Sequence, residues 1–364
     1  MPRINTPFTE LVGLEVPIIQ APMAGGPASP ELVTACSAGG ALGSFGFAYT
    51  QPAEMKAQAA AVRAKTDRPY GINLFGWPLP GDIADRDQRE SLAAVAGYYA
   101  ELGLGAPEPV RAPYGPDFEA QLAAVVEIRP RVFTIHLNDL TPDRLGRLKG
   151  AGSLVGGSAT CVAEAEKLAA SGFDFVIAQG GEAGGHRGTY ARDPYEALTG
   201  TLALTRAVVR AVRVPVIAAG GIMDGAGIAA ALALGAQAAQ LGTAFIPCPE
   251  SGAPRPHKEA LLAAREDITT LTEKFSGKPA RGIANRFIRE MSRRDAAQLA
   301  FPAQNSVTGK LRVAAAKAGN PDFLALWAGQ GIAMSRALPA ADLIARLETE
   351  TVEAVRRTAA LLKE

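Results

Sequence analysis

Short apolar runs recur along the chain, and most are followed by turn residues and then by a segment with helical spacing of its apolar positions. The runs are continuous rather than alternating, which is typical of strands buried on both faces of a parallel sheet. The eight runs are 16–21, 41–46, 70–75, 132–137, 153–158, 173–179, 214–221 and 238–245. Helical spacing is found at 52–65, 117–127, 141–150, 161–171, 195–211 and 224–234. The pattern therefore predicts a parallel sheet with alternating helices.

The number of these units favours a TIM (β/α)8 barrel over an open doubly wound sheet. Eight units in about 245 residues match the usual size of such a barrel. An open sheet would usually carry a G-x-G-x-x-G turn after its first strand, whereas the first run here leads into APMAGG at 21–26. The predicted fold class is therefore α/β, a TIM (β/α)8 barrel with an inserted mainly helical cap domain.

Two stretches interrupt the alternation of strands and helices. Residues 76–116 are rich in Pro and Gly and are predicted to form a long excursion after the third strand. Residues 247–321 have the pattern of helices without intervening strands. We predict a barrel made of residues 1–246 plus 322–364, and a helical cap, the substrate-side domain, made of 247–321.

Composition and charge narrow the classes of partner. The 364 residues carry 37 basic and 36 acidic side chains, and no basic run stands out, so nucleic acid is not an expected partner. The most apolar stretch, 214–247, is interrupted by Asp224 and by glycines, so no membrane partner is expected either. Three widely separated cysteines and an N-terminus without an apolar signal-peptide core predict a cytoplasmic protein.

The active site of a TIM barrel lies where its strands end, and several polar or glycine positions fall there. Gly220–Gly221 and Gly242–Thr243 follow the seventh and eighth runs. They predict a backbone-amide cradle for a phosphate, because a Cβ atom would block the approach of the amides. Asn73 and Gln179 lie on apolar strands, where they make either hydrogen bonds at the barrel rim or contacts to the edge of a planar ring.

The stretch AQGGEAGGHRG at 178–188 follows the sixth run and holds one of only three histidines. We interpret His186 as catalytic rather than as an exposed loop residue, and Glu182 as a loop-stabilising acceptor. His257 is interpreted as a surface or structural residue. No metal-binding His spacing and no G-x-S-x-G elbow is present, so no metal site is predicted. A phosphate-bearing cofactor and a histidine remain, which indicates acid–base or redox chemistry.

Five motifs together resemble the class I nitronate monooxygenases, formerly called 2-nitropropane dioxygenases. They are PIIQAPMAGG, GINLF, DFVIAQGGEAGGHRGTY, PVIAAGGIMDG and AAQLGTAF, in the family's order and spacing. The resemblance covers most of the chain, and the E-A-G-G-H-R-G element is its most specific part. The APM and AGGI elements are shared with the flavin-dependent enoyl-acyl carrier protein reductases.

The resemblance implies that the barrel binds FMN non-covalently, and it assigns the residues of the site. Ala21, Pro22 and Met23 would lie along the flavin, Asn73 and Gln179 would hydrogen-bond it, and Gly184 would approach it. The phosphate would be held by Gly220, Gly221, Gln240, Leu241, Gly242 and Thr243. His186 would act on the substrate with His136 as a second pocket histidine, although TIHLNDLTP around His136 departs from the family's usual strand end. Tyr114 and Lys310 are predicted to line the substrate pocket.

The implied reaction is the oxidative denitrification of alkyl nitronates, such as propionate 3-nitronate, by O2, giving a carbonyl compound and nitrite. Two alternatives stay open: an FMN-dependent NAD(P)H reductase of enoyl thioesters or quinones, and a non-catalytic barrel that binds a phosphate ligand. His186 is either the base that deprotonates a nitroalkane or a cation that binds a nitronate. A monomer or a homodimer is expected, with a small-molecule substrate and O2 as partners.

Overall fold

The structure is a computed structural model that describes residues 3–362. Its twelve strands within those residues form two sheets. They are β1 (Ile18–Gln20), β2 (Met23–Ala24), β3 (Gly43–Gly46), β4 (Tyr70–Phe75), β5 (Val132–His136), β6 (Leu154–Ala159), β7 (Phe175–Gln179), β8 (Gly185–His186), β9 (Val216–Ala219), β10 (Ala238–Leu241), β11 (Thr269–Thr272) and β12 (Ala280–Ile283).

The larger sheet is parallel throughout and closes into a barrel. Its order is β1-β10-β9-β7-β6-β5-β4-β3-β2, with β2 a two-residue extension beside β3. Closure comes between β1 and the chain just before β3, where Ile19 and Leu42 form a parallel bridge. The Gln20 amide donates to the Leu42 carbonyl at 2.9 Å, and the Leu42 amide donates to the Ile18 carbonyl at 3.0 Å. The eight predicted runs thus supply the eight barrel strands, which confirms the TIM (β/α)8 barrel of the predicted fold class.

Helices follow most of the barrel strands, as in other TIM barrels, and four more lie in the segment 247–321. They are α1 (Pro7–Val12), α2 (Pro30–Ala38), α3 (Pro52–Arg63), α4 (Asp85–Glu101), α5 (Phe118–Ile128), α6 (Pro142–Gly150), α7 (Val162–Ala170), α8 (Thr201–Ala211), α9 (Gly225–Ala233), α10 (Arg255–Ala263), α11 (Arg286–Met291), α12 (Ala303–Val307), α13 (Gly309–Lys317) and α14 (Ala340–Ala359). No helix within residues 3–362 has the length and apolar character that crossing a membrane requires.

Local chemistry fixes where several of these helices begin. Ser29 accepts a hydrogen bond from the Leu32 amide at 3.1 Å, and Pro30 occupies the first turn of α2. Asp224 accepts from the Gly227 amide at 2.8 Å at the start of α9. Such side-chain caps satisfy amides that have no partner inside the helix. They also set the direction in which each helix leaves the strand before it.

The last helix, α14, packs back against α9 and α2. Leu343 and Leu347 are buried on its inner side. The Glu350 carboxylate accepts a hydrogen bond from the Gly225 amide at 3.1 Å and forms an ion pair with Arg336 at 2.8 Å. The C-terminal helix α14 therefore completes the outer layer of the barrel beside β9 and β10, the strands that Gly220 and Gly242 follow.

Two secondary-structure predictions were wrong in part. Residues 247–321 carry four helices but also the antiparallel pair β11–β12, and the β-branched residues of Thr269–Thr272 fit a strand better than a helix. The Pro- and Gly-rich excursion 76–116 contains the helix α4, because Pro and Gly are confined to its flanks except for Gly97. In addition, α8 begins at Thr201 rather than at 195.

The contact between α9 and α14 gives a stability prediction. A Cβ atom on Gly225 would lie 2.3 Å from the Glu350 Cβ and from the Thr351 amide nitrogen. We expect Gly225→Ala to lower the free energy of unfolding by roughly 1–3 kcal/mol, because backbone cannot yield as a side chain can. Urea denaturation measures this. The matched control is Gly146→Ala on α6, where a Cβ meets nothing within 4 Å, and which should stabilise the protein by about 0.5–1 kcal/mol. Equal effects of the two substitutions would contradict the packing argument.

Candidate active site

A cavity of about 580 Å³ lies at the carboxyl ends of the barrel strands. Most of the residues predicted from the sequence to form the site share its wall. These are Ala21, Pro22, Met23, Asn73, His136, Gln179, Gly184, His186, Gly220, Gly221, Gln240, Gly242 and Thr243. Residues from 247–321 close the cavity on one side, among them His257, Asn305 and Arg312. The cavity is therefore formed jointly by the barrel and by the segment that follows its last strand.

Three predicted residues do not line this cavity. Leu241 is almost completely buried in the core between the barrel and the outer helices, because its side chain points away from the strand's cavity side. Tyr114 is buried in a separate apolar cluster with α4 and the 247–321 segment. Lys310 lies on the surface, where its Nζ pairs with Glu108 at 2.6 Å. The expectation that Tyr114 and Lys310 line the pocket does not fit these positions.

The loop after β7 is held as a strand of the second sheet. Gly185–His186 forms β8, which pairs antiparallel with β12, with His186 opposite Ala280 and Gly185 opposite Arg281. Gly185 has φ +74°, which favours glycine over residues with a Cβ atom. The segment 247–321 thus helps to fix the backbone of His186 from outside its own loop.

Two charged side chains anchor the ends of this loop. The Glu182 carboxylate accepts hydrogen bonds from the Thr201 amide at 2.7 Å and from the Thr201 hydroxyl at 2.8 Å, which is the loop-stabilising role expected for it. Arg187 is completely buried. Its guanidinium donates to the carbonyls of Gly180 at 2.6 Å, Gln179 at 3.1 Å and Ala197 at 2.9 Å. The chain between these anchors has little freedom to move.

Gln179 and His136 both hold the backbone of the loop. The Gln179 Nε2 donates to the His186 carbonyl at 3.0 Å, and its Oε1 accepts from the Gly188 amide at 2.7 Å. His136 Nε2 also lies 3.1 Å from the His186 carbonyl, and its Nδ1 lies 2.8 Å from the Ser158 hydroxyl. A carbonyl only accepts, so Nε2 of His136 carries the proton and Nδ1 accepts from Ser158. With both ring nitrogens engaged, His136 is a positioning residue and not a free base.

His186 has one ring nitrogen engaged and one without a hydrogen bond among the described residues. Its Nε2 lies 2.9 Å from the Ser276 hydroxyl, and that hydroxyl donates to the Lys278 carbonyl at 3.1 Å. The Ser276 oxygen then accepts from Nε2–H, which leaves Nδ1 as a lone pair. Burial lowers the pKa of His186 to about 3, with further lowering by the charges of His136, Lys278 and Arg312. The ring is therefore neutral near pH 7.

Aromatic rings surround the imidazole of His186. The centroids of Phe75 and Phe301 lie 5.5 Å from it, and that of Trp327 lies 5.7 Å away. Phe75 ends β4, whereas Phe301 and Trp327 come from the region after the last barrel strand. These rings exclude water from the imidazole and account for the lowered pKa.

Another part of the cavity wall is built largely from backbone. Gly184 has no room for a side chain, since a Cβ atom would lie 2.5 Å from the Ala328 carbonyl carbon. Gly220 and Gly221 have φ +123° and +71°. Asn73 donates both amide hydrogens to Thr134, at 3.1 Å to the carbonyl and 2.8 Å to the hydroxyl, so its Oδ1 remains as an acceptor. Such a wall fits a flat ring with a phosphate arm, because backbone can approach such a group closely.

Sequence reasoning missed several side chains of the cavity wall. Tyr49, His257 and Arg312 all line it, and none belongs to a motif that could have indicated this. His257, interpreted as surface or structural, is buried, and its Nε2 donates to the Trp327 carbonyl at 3.1 Å. Among the described residues, no group of three or more His, Cys, Asp and Glu side chains could hold a metal ion.

A closed parallel barrel with a cavity at the carboxyl ends of its strands is typical of a TIM-barrel enzyme. The nitronate monooxygenase family model matches residues 5–350. The chain is 41% identical over 350 residues to a nitronate monooxygenase from Paraburkholderia phytofirmans, covering 95% of this chain and 94% of the relative. It is also 41% identical over 346 residues to a nitronate monooxygenase from Pseudomonas aeruginosa, covering 94% and 98%. The chain therefore belongs to the nitronate monooxygenase family, as the sequence motifs indicated.

Solved structures give the same placement. A nitroalkane oxidase from Streptomyces ansochromogenes superposes with a TM-score of 0.87 at 41% identity, covering 97% of this chain and 99% of that one. FabK from Thermotoga maritima superposes with a TM-score of 0.77 at 27% identity, covering 99% and 100%. The enoyl reductase domain of MlnA from Bacillus amyloliquefaciens shares the fold alone, with a TM-score of 0.65 at 14% identity. The fold by itself thus does not select one reaction.

The histidines give a prediction for the pH dependence of stability. Burial lowers the pKa of His257 and of His136 to about 4 and that of His186 to about 3, from an ordinary 6.5. At a pH between the ordinary pKa and the lowered pKa of each histidine, the unfolded chain binds a proton that the folded chain does not. Stability that is complete above about pH 6.5 is therefore lost as the pH falls, by up to about 1.4 kcal/mol per pH unit for each histidine. Urea unfolding at pH 7.5, 6 and 5 measures this loss.

The variant His257→Gln isolates one proton of this effect. We expect its free energy of unfolding to depend less steeply on pH between 6.5 and 5, whatever its absolute stability, because one proton fewer is taken up on unfolding. The carboxylates titrate mainly below this window. A slope identical to that of the unsubstituted protein would contradict the assignment of a buried neutral His257.

Proposed function

We propose that the protein oxidises alkyl nitronates, such as propionate 3-nitronate, with FMN as cofactor and O2 as oxidant, and releases a carbonyl compound and nitrite. The single observation that carries this proposal is the enclosed, neutral His186 beside a cavity wall of glycine backbone. Family membership supports the class of reaction. The geometry of the cavity supports a flat, phosphate-bearing cofactor with the substrate on its His186 side.

FMN, when bound, supplies the electron-transfer chemistry between the nitronate and O2. Ala21, Pro22 and Met23 would support the ring, and the Asn73 Oδ1 would accept a hydrogen bond from its edge. Gly220, Gly221, Gly242 and Thr243 would hold the phosphate through backbone and hydroxyl groups. Gln179 uses its carbonyl oxygen and one amide hydrogen within the loop, so it has one amide hydrogen left for the cofactor.

The structure leaves the Nδ1 lone pair of His186 available to take the α-proton of a nitroalkane. A pKa lowered by burial opposes the protonated ring in both roles, as the product of that proton transfer and as a cation that binds a nitronate. The Ser276 hydroxyl fixes the tautomer by accepting Nε2–H. For a nitronate no proton has to be removed, so we expect the nitronate to be the preferred form of the substrate.

The experiment mixes the purified protein anaerobically with propionate 3-nitronate and, separately, with NADPH, and then measures nitrite under air. We expect the nitronate to bleach the flavin absorbance and nitrite to be released. Bleaching by NADPH alone would favour a reductase of enoyl thioesters or quinones. Purified protein without any flavin absorbance would favour a non-catalytic phosphate-binding barrel. A much larger kcat/KM for the nitroalkane than for its nitronate would contradict the expectation that the nitronate is the preferred form of the substrate.

The variant His186→Asn tests the role of the imidazole. We expect it to retain FMN, and to lose about 100-fold or more of kcat/KM on the neutral nitroalkane, which is a usual contribution of a general base. The loss on the nitronate should be clearly smaller, because that form needs no base. Both losses of kcat/KM are measured in one preparation of the variant. Misfolded protein would lower both equally, so the ratio of the two losses does not depend on the folded fraction. Unchanged turnover of both forms would remove His186 from the mechanism.

A further inference from the structure

Arg312 lies in the cavity wall without a carboxylate partner among the described residues. It is carried by α13, and its Nη2 donates to the Asn305 carbonyl at 2.9 Å and to the Asn305 Oδ1 at 2.7 Å. Its Nε is buried and has no hydrogen-bond partner. A guanidinium removed from water is usually paired with an acid. The charge of Arg312 is therefore uncompensated inside the cavity.

Tyr49 presents a second unsatisfied donor to the same cavity. It follows β3, lines the cavity, and its hydroxyl is buried without a hydrogen-bond partner. The positive charge of Arg312 acts on this hydroxyl, although burial dominates and raises the pKa of Tyr49. Two polar groups that each cost free energy when they stay unpaired thus line the same cavity.

The aromatic rings place this pair relative to His186. The ring of Tyr49 contacts Phe75 and Phe301 at centroid distances of 6.1 and 6.3 Å. The same two rings contact His186 at 5.5 Å. Tyr49 and His186 therefore contact the same two aromatic rings. A short substrate held at His186 by its nitro-bearing carbon could reach Tyr49 with its other end.

The expected phosphate position lies elsewhere in the barrel. Gly220 and Gly221 follow β9, and Phe75 ends β4 on the opposite side of the closed barrel. The Nε of Arg187 is also buried without a partner, but both of its terminal nitrogens donate to backbone carbonyls. Arg312 donates only to Asn305 and keeps its Nη1 without a hydrogen bond among the described residues. Tyr49, which contacts Phe75, therefore lies on the side of the barrel away from the glycine turn after β9.

We propose that Arg312 and Tyr49 form an oxyanion subsite that binds a carboxylate at the end of the substrate remote from its nitronate carbon. This proposal rests on the proposed function and adds the residues that select the substrate. A planar carboxylate suits a guanidinium with free N–H groups, and the Tyr49 hydroxyl supplies a further donor. The subsite makes the protein selective for carboxylate-bearing nitronates over uncharged ones of similar length.

The test compares propionate 3-nitronate with propyl-1-nitronate, which lacks the carboxylate. We expect Arg312→Met to lower kcat/KM for propionate 3-nitronate by about ten- to a hundredfold, the usual effect of losing a charge-assisted hydrogen bond. The loss should appear mainly in KM, and kcat/KM for propyl-1-nitronate should change less than about threefold. Tyr49→Phe should show the same selectivity with a smaller loss. Arg312→Lys, which keeps the charge, should recover part of it.

The matched control is Lys317→Met, which removes an exposed cation from the same helix and should leave both substrates unchanged. Flavin content is measured for every variant. Equal losses on both nitronates, or loss of flavin in Arg312→Met, would overturn the subsite. A comparable loss in Lys317→Met would show a general charge effect and would also overturn it.

A binding measurement separates failure of the subsite from failure of the proposed function. Butyrate and its uncharged isostere butyramide are titrated into the purified protein, and the thermal midpoint is followed. We expect butyrate to raise it in the unsubstituted protein and not in Arg312→Met, with little effect of butyramide in either. If neither nitronate is oxidised but butyrate still binds through Arg312, the proposed function is wrong and the subsite stands. Equal responses to butyrate in both proteins would overturn the subsite itself.

Discussion

The antiparallel pairing of Gly185–His186 with Ala280–Arg281 is the contact on which the rest of the site depends. It joins the loop after β7 to the hairpin that follows the last barrel strand. Through it the imidazole receives its hydrogen-bond partner, Ser276, and its aromatic surroundings. The segment 247–321 is therefore part of the site's framework, and the barrel alone would leave the imidazole without a defined position.

Burial decides the electrostatics of the cavity. Its histidines are neutral because desolvation lowers their pKa values, whereas a guanidinium keeps its charge under the same conditions. Lys278 adds a second positive group, with its Nζ 3.8 Å from the centroid of Trp77 and its pKa lowered by burial to about 8. The electrostatic potential around His186 is thus positive although His186 itself is neutral. The charged residues attract an anion, whereas His186 has the lone pair that can accept a proton.

The barrel could be predicted from the sequence because each strand is a continuous apolar run, and such runs are a local property. The glycine turns and Asn73 were found for the same reason, since the glycines directly follow strands and Asn73 lies within one. Tyr49 and Arg312 were not found, because they come from a loop and from a helix that only the tertiary fold brings together. The placement of Lys310 failed for a related reason: on α13 it lies two residues from Arg312, and the helix turns it to the outside.

The cavity has two kinds of wall, and they differ in how readily their residues can be substituted during evolution. One wall is glycine backbone, in which almost any replacement introduces atoms where none fit, as at Gly184. The other consists of side chains such as Tyr49, His257 and Arg312, which can be exchanged without moving the chain. Divergence among descendants of this protein should therefore accumulate on the second wall. New substrates would then be acquired by an enzyme whose cofactor chamber stays the same.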